Sequence, residues 1–171
     1  MKYRRLAMLC AGVGTAGLGF TINTIANADD NRPPTQGEIQ FATETADLFQ
    51  ATSLAAIVQE ISETTPQNVA QGELSISLVF NDRNRDMRLV GTLQPFGSND
   101  LPADRFEREA LALAMTGQGD TSVEKVDDRW FYRRSVPLSN FVPQCAMCHA
   151  NFASLPSTAW VGALMLRVPI R

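Results

Sequence analysis

The sequence predicts an α+β domain in which a long N-terminal helix and a shorter second helix pack on one antiparallel sheet. Near the N-terminus, apolar residues recur every three or four positions, as they do along one face of a helix. Further along, short segments alternate apolar and polar residues between turn formers, which is typical of antiparallel strands. The chain has 171 residues, of which 44% are hydrophobic and 19% charged, so it is sized for one globular domain.

The first 28 residues are predicted to be a secretory signal peptide outside the fold. Three basic residues open it: Lys2, Arg4 and Arg5. An apolar stretch at residues 6–20 follows, and Ala26 and Ala28 form a small-x-small cleavage site. A retained anchor is the alternative, but the apolar stretch is shorter than the roughly 20 residues that a spanning helix needs. Cleavage would leave a periplasmic domain of residues 29–171, beginning at Asp29.

The charge of the chain argues against one class of partner. It has 15 Lys and Arg against 18 Asp and Glu; three basic residues leave with the signal peptide, so 12 face 18 and the net charge is −6. An acidic chain with Lys125 as its only remaining lysine is a poor ligand for nucleic acid. Because no other long apolar run occurs, the mature form is predicted not to span a membrane.

The first half of the domain is predicted to contain the long helix and two strands. Thr35 and Glu38 fit a capping box, and the apolar stripe that follows continues to about residue 62. Residues 74–80 alternate Leu, Ile, Leu and Phe with other residues, which predicts a strand with one apolar face. Residues 87–93 are predicted to be the returning strand.

The second half begins with the shorter helix, near Pro102, which ends at Gly117. Its predicted buried stripe consists of Phe106, Ala110, Leu113 and Ala114. Asp127 and Asp128 are predicted to turn a hairpin. The remaining segments are strands at 123–126 and 130–136, a loop at 137–157 and a last strand at 159–168.

Cys145, Cys148 and His149 form a C-x-x-C-H pattern inside that loop. Two thiols three positions apart can each add to a vinyl group of one haem, and the adjacent imidazole can then reach the iron. Such attachment occurs outside the cytoplasm, in agreement with the predicted signal peptide. The sequence therefore predicts one covalent haem c, bound through Cys145 and Cys148, with His149 as the proximal iron ligand.

Three other interpretations of the two cysteines compete with haem attachment. A zinc site would need an acidic fourth ligand, because the mature chain offers two Cys and one His. A thioredoxin-like redox pair would need a βαβ context, and the pair lies in a loop instead. A structural disulfide is compatible with export, but its very short loop would stabilise little.

The sequence does not determine the second axial ligand of the iron, since His149 is the only histidine. The candidate distal side chains are Met87, Met115, Met165 and Lys125. A lone Met on an apolar face is usually a core residue, so an exchangeable water is an equal alternative. Arg133 and Arg134 are candidate partners for haem propionates, because a guanidinium matches a carboxylate. Strand alternation predicts that only one of them points inward.

Three segments around the motif carry a family resemblance. Residues 130–138 (WFYRRSVPL) lead into it, residues 160–170 (WVGALMLRVPI) close the chain, and residues 97–102 (GSNDLP) precede the shorter helix. Together they resemble a bacterial family of c-type haem domains with a PAS-like fold, long described as a domain of unknown function. Members occur alone and as extracytoplasmic sensor modules of histidine kinases. The similarity runs over about residues 39–171.

The resemblance implies a PAS-like antiparallel sheet, with the haem held between the sheet and the long first helix. It also implies a redox or ligand-sensing module that acts on a separate, unknown partner protein. In relatives a cysteine late in the first helix can bind the haem distally; residues 59–61 here contain none, so that role does not carry over. The alternatives are a simple periplasmic electron carrier and, less favoured without a spare histidine for acid–base chemistry, a peroxidase-like enzyme.

Overall fold

The computed structural model describes residues 32–82, 86–92 and 98–170, so the predicted signal peptide and the start at Asp29 lie outside the described residues. Within them, antiparallel strands form one sheet in the order β1-β4-β3-β2. The strands are β1 (Met87–Gly91), β2 (Asp120–Val126), β3 (Arg129–Ser139) and β4 (Trp160–Ile170). The helices are α1 (Gln36–Ser62), α2 (Val69–Ser77), α3 (Arg105–Ala114) and the short α4 (Cys145–Cys148). The α+β prediction is confirmed.

The long N-terminal helix α1 begins as the sequence predicts. The Thr35 hydroxyl accepts a hydrogen bond from the Glu38 amide, and the Glu38 carboxylate accepts one from the Thr35 amide at 2.7 Å. Hydrogen bonds from Arg32 and Thr35 lower the pKa of Glu38 to about 2. The small residues Ala42 and Ala46 are fully buried, so the helix lies close against β3 and β4. No helix among the described residues is both long and apolar enough to cross a membrane.

The strand predicted at residues 74–80 is wrong: these residues form the end of α2 and a π-helical turn, Leu78–Asp82. Apolar residues at every second position also place pairs four apart on one side of a helix, and here Ile76 and Phe80 face the core. Leu74 and Val79 are about half exposed. Without that strand, β1 has no hairpin partner and pairs with β4 instead.

The other predicted elements are present with small changes. The shorter helix is α3, which starts after Asp104 rather than near Pro102, because the Asp104 carboxylate accepts a hydrogen bond from the Glu107 amide at 2.9 Å. Its buried stripe includes Leu111 in place of the predicted Leu113. The hairpin of β2 and β3 turns at Asp127 and Asp128, both at positive φ, as a two-residue hairpin turn requires. The predicted loop after β3 contains α4 and a 3₁₀ turn.

The sheet separates two clusters of buried residues. The face covered by α1 and α2, called here the α1 face, holds Ala42, Ala46, Ile57, Phe80, Tyr132, Leu164, Leu166 and Val168. The face covered by α3, the α3 face, holds Val90, Phe106, Ala110, Leu111, Ala114, Ala163 and Met165. Because side chains alternate along a strand, each strand contributes to both faces.

Candidate functional site

The C-x-x-C-H motif forms a compact turn between β3 and β4. Cys145–Cys148 is the single turn of α4, and the His149 amide donates to the Cys145 carbonyl at 2.9 Å. A 3₁₀ turn, Ala150–Ser154, follows directly. The two cysteines and the histidine are therefore held by local helical hydrogen bonds.

Asn140 closes the loop that carries the motif. It is buried, and its side-chain amide donates to the carbonyls of Phe152 and Leu155 at 3.2 and 3.1 Å. Its backbone amide donates to the Ala159 carbonyl at 2.8 Å. One side chain at the end of β3 thus fixes the far end of the loop, where β4 begins.

A cavity of about 220 Å³ lies beside the motif, between α2 and the α1 face of the sheet. Its walls are mainly apolar. Cys148, His149 and Phe152 form the side that belongs to the motif. The helical side consists of Glu73, Ile76, Ser77 and Phe80, and the sheet side includes Leu89, Gly91, Leu138 and Gly162.

Two glycines leave part of the sheet side without side chains. Gly91 and Gly162 are direct partners across β1 and β4, and Leu138 of β3 pairs with Gly162 from the other side. A Cβ on Gly162 would meet the Val90 carbonyl oxygen at 2.6 Å, and one on Gly91 would meet the Val161 carbonyl oxygen at 3.2 Å. Glycines within strands often mark such a close approach to backbone or ligand.

The imidazole of His149 is oriented by an aromatic neighbour. The rings of His149 and Phe152 stack with centroids 4.5 Å apart and planes 18° from parallel. Phe152 is only 6% exposed, and its amide donates to the His149 carbonyl at 2.8 Å. The histidine at the cavity wall is therefore supported by a buried ring three residues along the chain.

Both cysteines of the motif are free and half-buried, and no disulfide joins them. Burial raises the pKa of each thiol, and for Cys148 the charges of Glu73 and Cys145 raise it further. An activated nucleophilic thiol shows the opposite shift, because the thiolate is the reactive form. Among the described residues, no group of three or more His, Cys, Asp and Glu side chains is arranged to hold a metal ion.

The ionisable groups in the cavity wall are Cys148 and His149 of the motif and two carboxylates, Glu73 and Asp100. Glu73 lies on α2, which packs against α4. Asp100 belongs to a segment that Arg88 holds from the α3 face, since one guanidinium nitrogen donates to the carbonyls of Asn99 and Leu101 at 2.5 and 2.9 Å. The wall thus contains two acidic side chains.

The structure places the candidate distal ligands at three separate sites, and none lines the cavity among the described residues. Met87 lies on the α1 face, where its sulfur accepts a hydrogen bond from the Ser53 hydroxyl at 3.4 Å. Met115 and Met165 belong to the cluster on the α3 face. Lys125 forms an ion pair with Asp128 at 3.4 Å beside the hairpin turn.

The two candidate propionate partners point to opposite faces of the sheet, as strand alternation predicts. Arg133 lies on the α3 face, where it pairs with Asp104 at 2.7 Å and Glu124 at 2.6 Å and stacks on Phe106. Arg134 lies on the α1 face, where it pairs with Asp47 of α1 at 2.5 Å. The structure brings neither to the cavity wall.

The residues of the site that sequence reasoning missed fall into two groups. Those of α2 were missed because residues 74–80 were interpreted as a strand; the spacing of Ile76 and Phe80 was the available signal for a helix. Asn140 and Phe152 carry no motif, and their roles come from tertiary contacts. No protein-family model and no curated protein matches this chain.

Proposed function

We propose that this protein is an exported mono-haem c-type cytochrome-like module with a redox or ligand-sensing role. In this proposal Cys145 and Cys148 hold the haem covalently and His149 is the proximal iron ligand. The observation that supports it is the position of Cys148 and His149 in the wall of a mainly apolar cavity. A C-x-x-C-H motif on an exposed loop, remote from any cavity, would not favour haem.

The donor set fits the attachment chemistry. Each free thiol would add across one vinyl group, so that sulfur bonds to one vinyl carbon and hydrogen goes to the other, with no oxidant required. Both cysteines are free in the structure, as this addition requires.

The cavity can hold part of a haem but not the whole macrocycle. Its volume is about 220 Å³. Small-molecule sites typically have roughly 300–1,000 Å³, and a haem needs a site in that larger range. The proposal therefore requires α2 to move outward or an edge of the macrocycle to remain outside. It also shifts the helical wall from α1, which the family resemblance implies, to α2.

Once bound, the haem would supply one-electron redox chemistry or an open coordination position for a small ligand. The chain would supply the environment. Phe152 orients the His149 ring, and apolar residues such as Ile76, Phe80 and Leu89 exclude water from that side. For the distal position we propose a methionine or an exchangeable water. Met87 is favoured among the methionines, because it alone lies on the α1 face.

Covalent haem is tested by intact mass spectrometry of protein coexpressed with a c-type maturation system. We expect one added haem mass that survives acid–acetone extraction, and its loss in the variant with both Cys145→Ser and Cys148→Ser. A mature wild-type protein without that mass contradicts the proposal.

Carbon monoxide then separates the two roles. A reduced haem that binds it quickly supports ligand sensing, and one that ignores it supports the electron-carrier alternative. Ferric spectra of Met87→Ala, with Met165→Ala as the matched control on the other face, identify a thioether ligand. Loss of the thioether–iron band in Met87→Ala alone would assign it.

A further inference from the structure

Among Asp, Glu, Lys and Arg, the described wall of the cavity contains only the two acidic types. Glu73 and Asp100 are its carboxylates, and its lining, as described for residues 32–82, 86–92 and 98–170, contains no Lys or Arg. On the α3 face, Arg88 and Arg133 both contact Glu107. A cofactor in this cavity would therefore meet carboxylates in the described lining.

Glu73 is the carboxylate of the cavity wall that lies on a regular helix, α2. It is half-buried on α2, one helical turn before Ser77, which also lines the cavity. It shares the cavity wall with Cys148 and His149 of the attachment motif. Helix α2 packs against α4, the turn that carries the two cysteines, so the carboxylate lies on a helix beside the motif.

We infer that Glu73 is a potential-setting residue that favours the ferric over the ferrous state of the haem. This inference rests on the proposed function. Reduction adds one electron and removes one unit of positive charge from the iron. A fixed negative charge nearby stabilises the more positive ferric state, and the effect is strong where apolar walls exclude water.

The test is a spectroelectrochemical titration of the haem-loaded wild type and of Glu73→Gln at one fixed pH. Glutamine keeps the size and removes the charge, so we expect the midpoint potential to shift to a higher value, while the ferric and ferrous absorption spectra stay the same. Glu73→Asp retains the charge and should restore most of the wild-type potential. Glu109→Gln is the matched control, because Glu109 is exposed on α3 and pairs with Arg105.

Two results would overturn the inference. One is a Glu73→Gln potential that equals that of the wild type and of Glu109→Gln. The other is a changed ferric spectrum in Glu73→Gln, which would mean that Glu73 binds the iron directly. If Glu73→Gln does not load haem, Glu73→Ala replaces it in the same titration. Failure of the proposed function gives a different result, namely no haem in the wild type.

Discussion

The two faces of the sheet differ in how the space beneath their helices is filled. On the α3 face, buried charges fill the space: Glu107 accepts a hydrogen bond from Arg88 at 2.5 Å and lies 3.7 Å from Arg133. On the α1 face, small and apolar residues leave a cavity beside the C-x-x-C-H motif. Two consecutive residues of β1 show this difference: Arg88 joins the ion pairs on the α3 face, and Leu89 lines the cavity on the α1 face. The comparison shows that buried charged side chains pack against the α3 face, whereas a mainly apolar cavity lies on the α1 face.

The largest effect is expected when the buried network on the α3 face loses its central acid. Glu107→Gln would leave the buried Arg88 without its counter-charge, while Arg133 keeps Asp104 and Glu124, and breaking a buried pair costs about 3–5 kcal/mol. Urea unfolding measures the loss. The haem spectrum of the folded fraction should not change, because the network lies on the other face. Glu109→Gln is the control and should stay within about 0.5 kcal/mol. A loss below about 1 kcal/mol for Glu107→Gln would contradict this account.

A smaller effect is expected on the α1 side, where Asn140 closes the motif loop. Asn140→Ala leaves the carbonyls of Phe152 and Leu155 without their shared donor, at a cost of about 1–3 kcal/mol. Hydrogen exchange should accelerate at residues 145–155 more than in α3. Asn151→Ala, in the same loop, keeps both hydrogen bonds and serves as the control. Equal acceleration in α3 would show that the two faces are not separable.

The smallest effect concerns acid stability. Burial opposes ionisation of Asp104, but the hydrogen bonds from Arg133 and from the Glu107 amide, together with the charges of Arg133 and Arg167, outweigh it and lower the pKa below the ordinary 3.8. The folded pKa is thus below the unfolded one, so the contribution is complete above pH 3.8 and lost as pH falls through the folded value. Asp104→Asn, which keeps a good N-cap, should give a flatter decline of unfolding free energy in that range. An unchanged acid slope would rule out this role for Asp104.

The sequence predicts the parts of this fold that depend on local patterns. The capping box at Thr35 and the hairpin turn at Asp127 follow from side-chain hydrogen bonds and backbone preferences within a few residues. The shorter helix is also predicted, but it begins after Asp104 rather than near Pro102. The motif of Cys145, Cys148 and His149 is likewise local, although its haem stays a prediction. The segment at 74–80 was not predictable in this way, because its alternation suits either a strand or a helix and contact with α1 and β1 decides between them.

The cavity could not be predicted at all from local patterns. Its walls join α2, the sheet and the motif, which are distant in sequence and meet only after the core has formed. Glu73 illustrates the limit, since its position matters only once α2 is known to be a helix beside α4. Gly91 and Gly162 are recognised as a pair only from the register of β1 with β4, which places them opposite each other.

The central claim, that a haem attached to the motif occupies the α1 face of the sheet, is tested most directly by NMR of the ferric holoprotein. The unpaired electrons of the iron broaden and shift nearby amide signals, with an effect that falls steeply with distance. The variant with both Cys145→Ser and Cys148→Ser provides the haem-free reference. We predict strong perturbation at Ser77, Gly91 and Gly162 and little at Ala110 and Leu111 of α3. Strong perturbation at Ala110 and Leu111, with the cavity amides unaffected, would contradict the account.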